Sequence, residues 1–429
     1  MHISIVTLFP ELYKPFLETS LVEKAQITGV VSFSLENIFA YCSPKERIDA
    51  PSFGHGAGMV LKPEIIQKAV EKQEASYGAA YKIFFSPQGK KLDQKLLATI
   101  ASELQARQHL MLLPARYEGM DSRVEEYYAD VVVSIGDYVL MGGDLPTMVL
   151  IEGMLRLIPG VIGKQESVEH ESFSGPFVDY PEFTAPVEWK GIRVPDVVRS
   201  GNHGQLASWR RTEAARKTVY HHFGWLRSHV KNKEDKKLVA SLMPSHYVIL
   251  MHSHVMVDQN REGNSSVTSL DIHDIARSAC SFGIKKYYII TPLLDQQHNV
   301  KRLLEFWHTE VGLEYNPQRH EALALVQLVS TLEEAMQEIQ KREQNEPLLI
   351  ATSAQTYDLV EIISYSDQER VWLHKKPVAF VFGTARGLTG GLMNKCNYML
   401  GPIEGFSSFN HLSVRSAVAI VLDRWLGLR

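Results

Sequence analysis

The chain has 429 residues, of which 45% are hydrophobic and 22% are charged, as in a folded rather than a disordered protein. Cys42, Cys280 and Cys396 are far apart and form no C-x-x-C pair, which argues against a disulfide framework or a zinc site. The start, MHISIVTLFPEL, lacks the features of a signal peptide, and no apolar run reaches the roughly eighteen residues of a membrane helix. We therefore expect a cytoplasmic protein with no membrane partner and no metal site.

The net charge of −4 is unevenly distributed along the chain. Residues 186–240 contain twelve Lys or Arg and five Asp or Glu, so this segment carries +7 and the remainder −11. A local excess of positive charge attracts phosphate groups even on an acidic protein. A solvated helical surface explains the same charges equally well, so charge alone leaves both interpretations open.

Strand-like and helix-like stretches alternate through the first part of the chain. Apolar runs predict strands at residues 2–9, 31–38, 81–85, 109–114 and 131–135. Helical patterns lie at residues 10–27, 63–77, 93–107 and 146–157. This alternation predicts an α/β domain with a mostly parallel sheet over residues 1–162.

The rest of the chain divides into three further parts. Residues 163–188 lose all periodicity and are interpreted as an interdomain linker. Residues 189–244 form the basic part, with helical patterns at 205–223 and 234–242. A second α/β unit is predicted at residues 246–429, with strands at 247–251, 286–290, 323–329, 348–351 and 378–382 and a last helix at 411–427.

Glycine-rich turns dominate the first unit. The loop Gly54-x-Gly56-x-Gly58 superficially suggests a dinucleotide site, but its spacing is wrong and no strand leads directly into it. Other glycine-rich turns follow Phe85 and Ile135, and a third follows the strand ending at residue 114, all at the carboxyl ends of predicted strands. Ligands of open α/β sheets bind at that edge. Tight turns alone would also explain the glycines, although three such loops at one edge favour a pocket.

Seven distinctive strings occur in order through the first 240 or so residues: ISIVTLFPE, FGHGAGM, SPQGKKLD, RYEGMDSRV, SIGDYVLMGGDLP, RLIPGVIG and SGNHGQLASWRR. In these strings the segment resembles the bacterial tRNA (guanine-N1)-methyltransferase family of the knotted SPOUT class. It implies a trefoil knot, a homodimer whose sites are completed across two subunits, and tRNA as substrate. DNA is not an expected partner.

The resemblance also implies S-adenosylmethionine as cofactor, with Mg²⁺ left open. The implied cofactor-binding residues are Ser86, Pro87, Gly89, Arg116, Tyr117, Ile135, Gly136, Tyr138, Leu140, Gly142, Gly143 and Pro146. The sequence departs from the family pattern at His55, Ala57 and Ala115.

Methylation at guanine N1 makes two chemical demands. The N1 proton must be removed by a general base, and the negative charge that grows on O6 needs a fixed cation. The resemblance implies Glu171 as base, where the family has Asp, Arg156 as the cation, and Glu118 close to the target base. Glu169 is a weaker candidate base. A surface ion pair of Arg156 with Glu152 is the plain structural alternative.

The segment 200–211 follows the linker and combines polar, aromatic and basic residues. Trp209 offers a stacking face and Arg210 a fork for phosphate or guanine. Within the resemblance, the implied tRNA-binding residues are Ser200, Asn202, His203, Trp209 and Arg210. A helix cap with a packed Trp is the structural alternative.

Three strings of the second α/β unit stand apart: LDIHDIARSACSFGIKKYYIIT at 270–291, FVFGTARGLT at 380–389 and MLGPIEGFSSFNHLSVRSAVAIVLDRWLG at 399–427. In these strings the unit resembles SPOUT-type putative RNA methyltransferases, including those that act on ribose 2′-oxygens. The implied site residues are Arg277, Gly383, Gly401, Ile403 and Ser413. Asp271, His273 and Ala385 depart from that pattern. A non-catalytic dimerisation or RNA-docking module is the alternative for this unit, and an RNA-binding assembly factor with degenerate pockets is the alternative for the whole chain.

Overall fold

A computed structural model describes residues 1–54, 56, 58–162, 171–259, 261–307, 309–357 and 359–429. His55, Ala57 and Glu169 lie outside the described residues. The chain separates into two compact units, Met1–Ser174 and Gly175–Arg429, each built around its own parallel sheet. Among the described residues, no helix combines the length and apolarity needed to cross a bilayer.

The first unit contains seven strands and six α-helices among its described residues, besides 3₁₀ turns at Pro10–Leu12 and Ile38–Tyr41. The strands are β1 (His2–Thr7), β2 (Ser32–Asn37), β3 (Asp49–Pro51), β4 (Met59–Leu61), β5 (Tyr81–Lys91), β6 (His109–Leu113) and β7 (Val131–Ser134). The helices are α1 (Tyr13–Leu17), α2 (Ser20–Ile27), α3 (Pro63–Tyr77), α4 (Gln94–Arg107), α5 (Ser122–Tyr128) and α6 (Asp144–Leu155).

The main sheet of this unit has the order β2-β1-β6-β5-β7, and all its pairs are parallel. Its two faces are both buried. Ile3 and Ile5 pack into one apolar cluster, whereas Val6 packs into another on the opposite face. Side chains alternate between faces along a strand, so a strand with apolar residues on both faces requires helices on both sides. The predicted α/β class with a parallel sheet is confirmed.

Two elements differ from their predicted bounds. The helix predicted at residues 10–27 is interrupted, because Thr19 is extended with ψ 130° and separates α1 from α2. Strand β5 runs six residues past its predicted end, with a register shift between Phe85 and Lys90 in its pairing with β7. Periodicity of side chains does not report such backbone irregularities.

The second unit begins with a hairpin and four helices, followed by the larger sheet. Its strands are β8 (Glu188–Trp189), β9 (Ile192–Arg193), β10 (His246–Met251), β11 (Val255–Asp258), β12 (Arg261–Gly263), β13 (Lys286–Ile290), β14 (Val326–Val329), β15 (Leu348–Thr352), β16 (Ile362–Ile363), β17 (Val378–Gly383) and β18 (Tyr398–Leu400). Its helices are α7 (Asp196–Arg199), α8 (His203–His221), α9 (Phe223–His229), α10 (Lys233–Leu242), α11 (Ser269–Ser281), α12 (Leu294–Trp307), α13 (Glu310–Tyr315), α14 (Pro317–Leu323), α15 (Leu332–Glu343), α16 (Gln368–Trp372), α17 (Gly390–Met393) and α18 (Val414–Leu426).

The larger sheet has the order β14-β13-β10-β17-β15-β18-β16, with parallel pairs throughout. The basic helices share its core. Val219, Phe223 and Leu226 belong to the same buried cluster as Trp372 and Trp425. The last helix begins at Val414, three residues later than predicted, because the Ser413 side chain accepts the Ser416 backbone N–H and caps it.

Arg227 attaches the basic helices to the last helix. Its guanidinium is buried and donates to the backbone carbonyls of Asp423 at 2.8 Å, Arg424 at 2.9 Å and Gly427. The free carbonyls at a helix C-terminus carry partial negative charge, so a cation there is stabilising. Glu369 adds a second link by accepting the Phe223 backbone N–H at 2.6 Å.

Candidate active site

Three loops at the carboxyl edge of the first sheet enclose a pocket of about 430 Å³. They follow Phe85 within β5, Leu113 at the end of β6 and Ser134 at the end of β7. Of the twelve residues implied as cofactor-binding, ten line this pocket: Ser86, Pro87, Tyr117, Ile135, Gly136, Tyr138, Leu140, Gly142, Gly143 and Pro146. Loops that are far apart in the sequence therefore converge on one cavity.

Gly89 and Arg116, the other two, do not line the pocket. A Cβ at Gly89 would lie 2.7 Å from backbone atoms of Val132 and Val133, which is closer than van der Waals contact allows. Gly89 therefore lets the extension of β5 pack directly on the backbone of β7. Gly89 thus supports the pocket through the packing of β5 on β7 and does not itself line it.

A short backbone ladder joins two of the pocket loops. The Gly143 N–H donates to the Ala115 carbonyl at 2.7 Å, and Arg116 pairs with Gly142 in an antiparallel bridge. A Cβ at Gly143 would lie 2.9 Å from the Ala115 nitrogen and from the Pro114 Cα. Only glycine permits this approach without moving one of the loops.

A buried carboxylate, that of Asp144, holds the Arg116 side chain in place. Asp144, 1% exposed, accepts from Arg116 Nε at 2.7 Å, from Thr7 Oγ1 at 2.7 Å and from the Tyr13 hydroxyl at 3.0 Å. The Arg116 guanidinium also lies 4.7 Å from the centre of the Phe9 ring. Burial, and then the charge of Asp144, raises the pKa of Tyr13, which therefore stays protonated as a donor.

Sequence analysis missed this support, although Asp144 stands within the string SIGDYVLMGGDLP. The carboxylate follows the glycine pair directly and begins α6, where an acid is favoured by the helix dipole. Thr7 and Tyr13 carry no local signal, because their relation to Asp144 arises only when β1 joins the sheet.

Two further carboxylates line the pocket. Glu118 is exposed, and its backbone N–H donates to the Met59 carbonyl at 3.0 Å, which holds the RYEG loop against the glycine loop. Glu125, on α5, is half-buried, and this burial raises the pKa of its carboxyl group. Glu125 was not singled out in the sequence.

Arg156 and Glu171 are joined by a hydrogen bond from the guanidinium Nη2 to the carboxylate Oε1. Both side chains are partly exposed, and neither lines the pocket. The Glu171 carbonyl accepts from the Ser174 hydroxyl at 2.6 Å, which fixes the local turn. Among the described residues, the alternative partner Glu152 makes no ion pair with Arg156.

The implied tRNA-binding segment begins α8. Asn202 caps this helix by accepting the Gln205 N–H at 3.1 Å, and the Ser200 hydroxyl accepts the Asn202 N–H at 3.2 Å. His203 is the first helical residue and is exposed. The capping alternative thus describes the local geometry of this turn, while leaving His203 and much of the turn accessible.

Aromatic contacts hold the next turn of α8. Trp209 packs on Phe183 with ring centres 6.1 Å apart, and the Arg210 guanidinium lies 4.5 Å from the centre of the Tyr180 ring. Arg210 also reaches Glu182 at 3.6 Å. The residues before β8 thus pack on the helix that carries the basic side chains.

The implied site residues of the second unit lie mostly near the carboxyl edge of its sheet. Gly383 ends β17, and a Cβ there would lie 2.6 Å from the Leu388 nitrogen. Gly401 donates its N–H to the Ile363 carbonyl at 2.8 Å. Ile403 packs against the apolar core, Arg277 is exposed on α11, and Ser413 caps the last helix.

The fold and the pocket together define a class: an α/β protein whose ligand pocket lies between loops at the carboxyl edge of a parallel sheet. The family described as "tRNA (Guanine-1)-methyltransferase TrmD" matches residues 1–226, and the family described as "SAM-dependent RNA methyltransferase" matches residues 245–427. The chain belongs to the tRNA (guanine-1)-methyltransferase family and carries a SAM-dependent RNA methyltransferase domain behind it, which confirms the resemblance.

Relatives of two lengths are similar to this chain. The tRNA (guanine-N(1)-)-methyltransferase of Oleidesulfovibrio alaskensis is 37% identical over 433 residues, covering 100% of this chain and 99% of the relative. The same-named protein of Nitratidesulfovibrio vulgaris is 35% identical with the same coverage. That of Bacillus licheniformis is 40% identical over 242 residues, 56% of this chain and 98% of the relative. The SAM-dependent RNA methyltransferase domain is thus shared with some relatives and not with others.

Proposed function

We propose that the first unit transfers a methyl group from S-adenosylmethionine to N1 of the guanine immediately 3′ of the anticodon, position 37 of tRNA. The observation that carries the proposal is the convergence of ten residues from three loops on one pocket. The relatives are named as tRNA (guanine-N(1)-)-methyltransferases, which favours the same substrate here.

The pocket suits the proposed cofactor in size and in chemistry. Its volume of about 430 Å³ lies in the range of small-molecule sites. Gly142 and Gly143 in its wall carry no side chain that would keep an adenine edge away from the loop backbone, and Tyr117 and Tyr138 offer flat faces. When bound, S-adenosylmethionine would supply an electrophilic methyl group.

We assign the acid–base chemistry to Glu171 and Arg156. The Glu171 carboxylate would take the N1 proton of guanine. The N1 lone pair would then form the bond to the methyl carbon while the bond from that carbon to the donor sulfur breaks, and S-adenosylhomocysteine would leave. Arg156 stabilises the negative charge that develops on O6 while the proton leaves. Glu118, exposed at the pocket, orients the target base.

The wider arrangement remains part of the proposal. We propose a trefoil knot in each α/β unit, a homodimer, and action in the cytoplasm, where tRNA is modified. The domains run from 1–162 through the linker 163–188 and the basic part 189–244 to 246–429. Ser200, Asn202, His203, Trp209 and Arg210 contact the tRNA in this proposal, and their clustering at the start of α8 supports it.

For the second unit we propose a ribose 2′-hydroxyl of RNA as the methyl acceptor, with Arg277 near that hydroxyl. The close packing of the turn after β17 against Gly383 is the supporting observation, because the pocket loops of the first unit approach each other closely at a glycine in the same way. A docking module without activity is the competing proposal.

The test of the proposed function is methyl transfer from labelled S-adenosylmethionine into an unmodified tRNA transcript, followed by nucleoside analysis. We expect 1-methylguanine at position 37. Label found only on ribose would reject the assignment of the first unit, and no label with donor bound would favour an RNA-binding assembly factor.

A further inference from the structure

A second cavity lies within the second unit, at the opposite end of β17 from Gly383. Its volume is about 670 Å³, and we call it the Tyr220 cavity after a residue in its wall. One side is α8 and the other is formed by Ser245, Asn345 and Pro377, which precede β10, β15 and β17. It therefore lies at the amino edge of the sheet, opposite the edge at which α/β sheets bind cofactors.

Four permanent cations line the Tyr220 cavity. Arg216 and Lys217 come from α8, and Lys375 and Lys376 come from the segment before β17. Among the described residues, the side chains of the three lysines make no ion pair and no hydrogen bond. Cations from two separate parts of the fold thus face one space without protein partners, which favours an anionic ligand.

The acids of the cavity wall are already engaged. Glu213 accepts from Arg216 at 3.3 Å, and Glu343 accepts from the Tyr247 hydroxyl. Neither is paired with a cavity lysine. Four cations and two carboxylates line the cavity, so its wall carries a net charge of +2.

The two walls are held in a fixed relation. Arg227 and Phe223, just after α8, are bonded to the last helix and to Glu369 of α16. The Phe223 ring also meets the Trp372 ring edge-to-face, with centres 4.6 Å apart. A cavity whose walls are locked in this way loses little entropy when it binds a ligand.

We propose that the Tyr220 cavity binds backbone phosphates of the RNA substrate. The inference rests on the proposed function, since the basic part 189–244 would already hold tRNA on the neighbouring face of α8. Lys375 and Lys376 would extend that footprint to the amino edge of the larger sheet in the same unit. The phosphate backbone supplies most of the affinity of such contacts, without sequence selectivity.

The test uses lysines that lie outside the basic part. The full chain with K375Q/K376Q is compared with K301Q/R302Q, which removes the same charge from an exposed surface of α12 in the same unit. The affinity for an unmodified tRNA transcript is measured by fluorescence anisotropy over a series of salt concentrations. Thermal unfolding of both variants confirms that they are folded.

We expect K375Q/K376Q to raise the Kd roughly tenfold and to reduce the slope of log K against log salt by about one to two, because about 0.9 is lost per phosphate contact. K301Q/R302Q should leave both unchanged. Equal Kd and slope in the two variants would overturn the proposal. A cavity that binds free nucleotide instead would also overturn the proposal. In that case AMP would stabilise the parent and K301Q/R302Q against thermal unfolding but not K375Q/K376Q, and tRNA binding would be unaffected.

The binding assay does not require methyl transfer, so the proposed reaction and the proposed phosphate binding in the Tyr220 cavity can fail independently. A chain that makes no 1-methylguanine but binds tRNA through Lys375 and Lys376 would uphold the cavity and reject the proposed reaction.

Discussion

The guanidinium of Arg156 donates a hydrogen bond to the carboxylate of Glu171, so the proposed cation and the proposed base neutralise each other before substrate arrives. When guanine binds, Arg156 must leave Glu171 and contact O6. Glu171 must leave Arg156 and accept the N1 proton. Because both side chains are partly exposed, water weakens the pair and the exchange costs little.

Replacing the carboxylate tests this assignment. We expect Glu171→Gln to lower the methyl-transfer rate roughly 100-fold, because the amide cannot accept the N1 proton. Donor affinity should not change, since Glu171 does not line the pocket. Glu171→Asp should keep or raise the rate. Single-turnover kinetics with tRNA measure the step, and Glu152→Gln, one turn before Arg156 and exposed, is the matched control. A Glu171→Gln variant as active as the parent would move the role to Glu169 or to water.

The close approach of two pocket loops predicts the effect of one added methyl group. Gly143→Ala should weaken donor binding about tenfold and destabilise the first unit by about 1–3 kcal/mol, because the new Cβ would meet the backbone of Ala115 and Pro114 at 2.9 Å. Calorimetric titration with S-adenosylmethionine and thermal unfolding report the two effects. Gly224→Ala, with nothing within 4 Å of its Cβ, should change neither for the worse. Unaltered donor affinity in the Gly143→Ala variant would show that the loops adjust freely.

The half-buried carboxyl of Glu125 in the pocket should make donor binding depend on pH. Burial raises the pKa of its carboxyl above the ordinary 4.5, so the folded state is disfavoured as pH rises from that value through the raised pKa. Ionisation also places a negative charge in a pocket that would hold a sulfonium. We expect donor affinity to rise roughly threefold over this range in the parent and to stay flat in Glu125→Gln. Glu126→Gln, exposed on the same helix, should follow the parent. Parallel pH profiles for all three chains would exclude Glu125 from the donor site.

His246 predicts acid sensitivity of the second unit. Its Nε2 accepts the indole N–H groups of both Trp372 and Trp425 at 3.2 Å, and burial lowers its pKa to about 4. The unfolded chain binds a proton near pH 6.5 and the folded chain only near 4, so stability is lost as pH falls through that window, by about 3 kcal/mol in all.

His246→Gln keeps an acceptor and removes the titration. The free energy of unfolding of this variant, followed by tryptophan fluorescence, should fall less steeply between pH 6.5 and 4 than that of the parent. His374→Gln, at an exposed histidine, serves as the control. The same slope in the His246→Gln variant and the parent would contradict the assignment.

The pocket was accessible to sequence analysis because its residues stand in contiguous strings, and glycines at strand ends have a physical meaning wherever they occur. The glycines indicated a pocket at this edge, and the resemblance of the strings to the methyltransferase family then implied Tyr117, Gly142 and Pro146 as its residues. The carboxylate that holds Arg116 could not, because Asp144 acquires Thr7 and Tyr13 as donors only through the sheet.

The second unit shows the same limit. The predicted strand at residues 323–329 begins inside a helix, since Pro317 and the capping Asn316 start α14 and the apolar residues 322 and 323 belong to its buried face. Arg227 donates to a carbonyl at the end of the last helix, about 200 residues away in the sequence, and no local sequence pattern predicts such a contact.

The hydrogen bond between Thr7 and Asp144 also limits how early the first unit can fold during synthesis. The two residues are 137 positions apart, so a ribosome adding about 5–20 residues per second finishes Asp144 on the order of ten seconds after Thr7. During that interval β1, which lies between β2 and β6 in the finished sheet, has no β6 to pair with until residues 109–113 are made. An apolar strand with an open edge is a site for wrong pairing, so the nascent chain has to be protected until the second half of the first unit has left the exit tunnel.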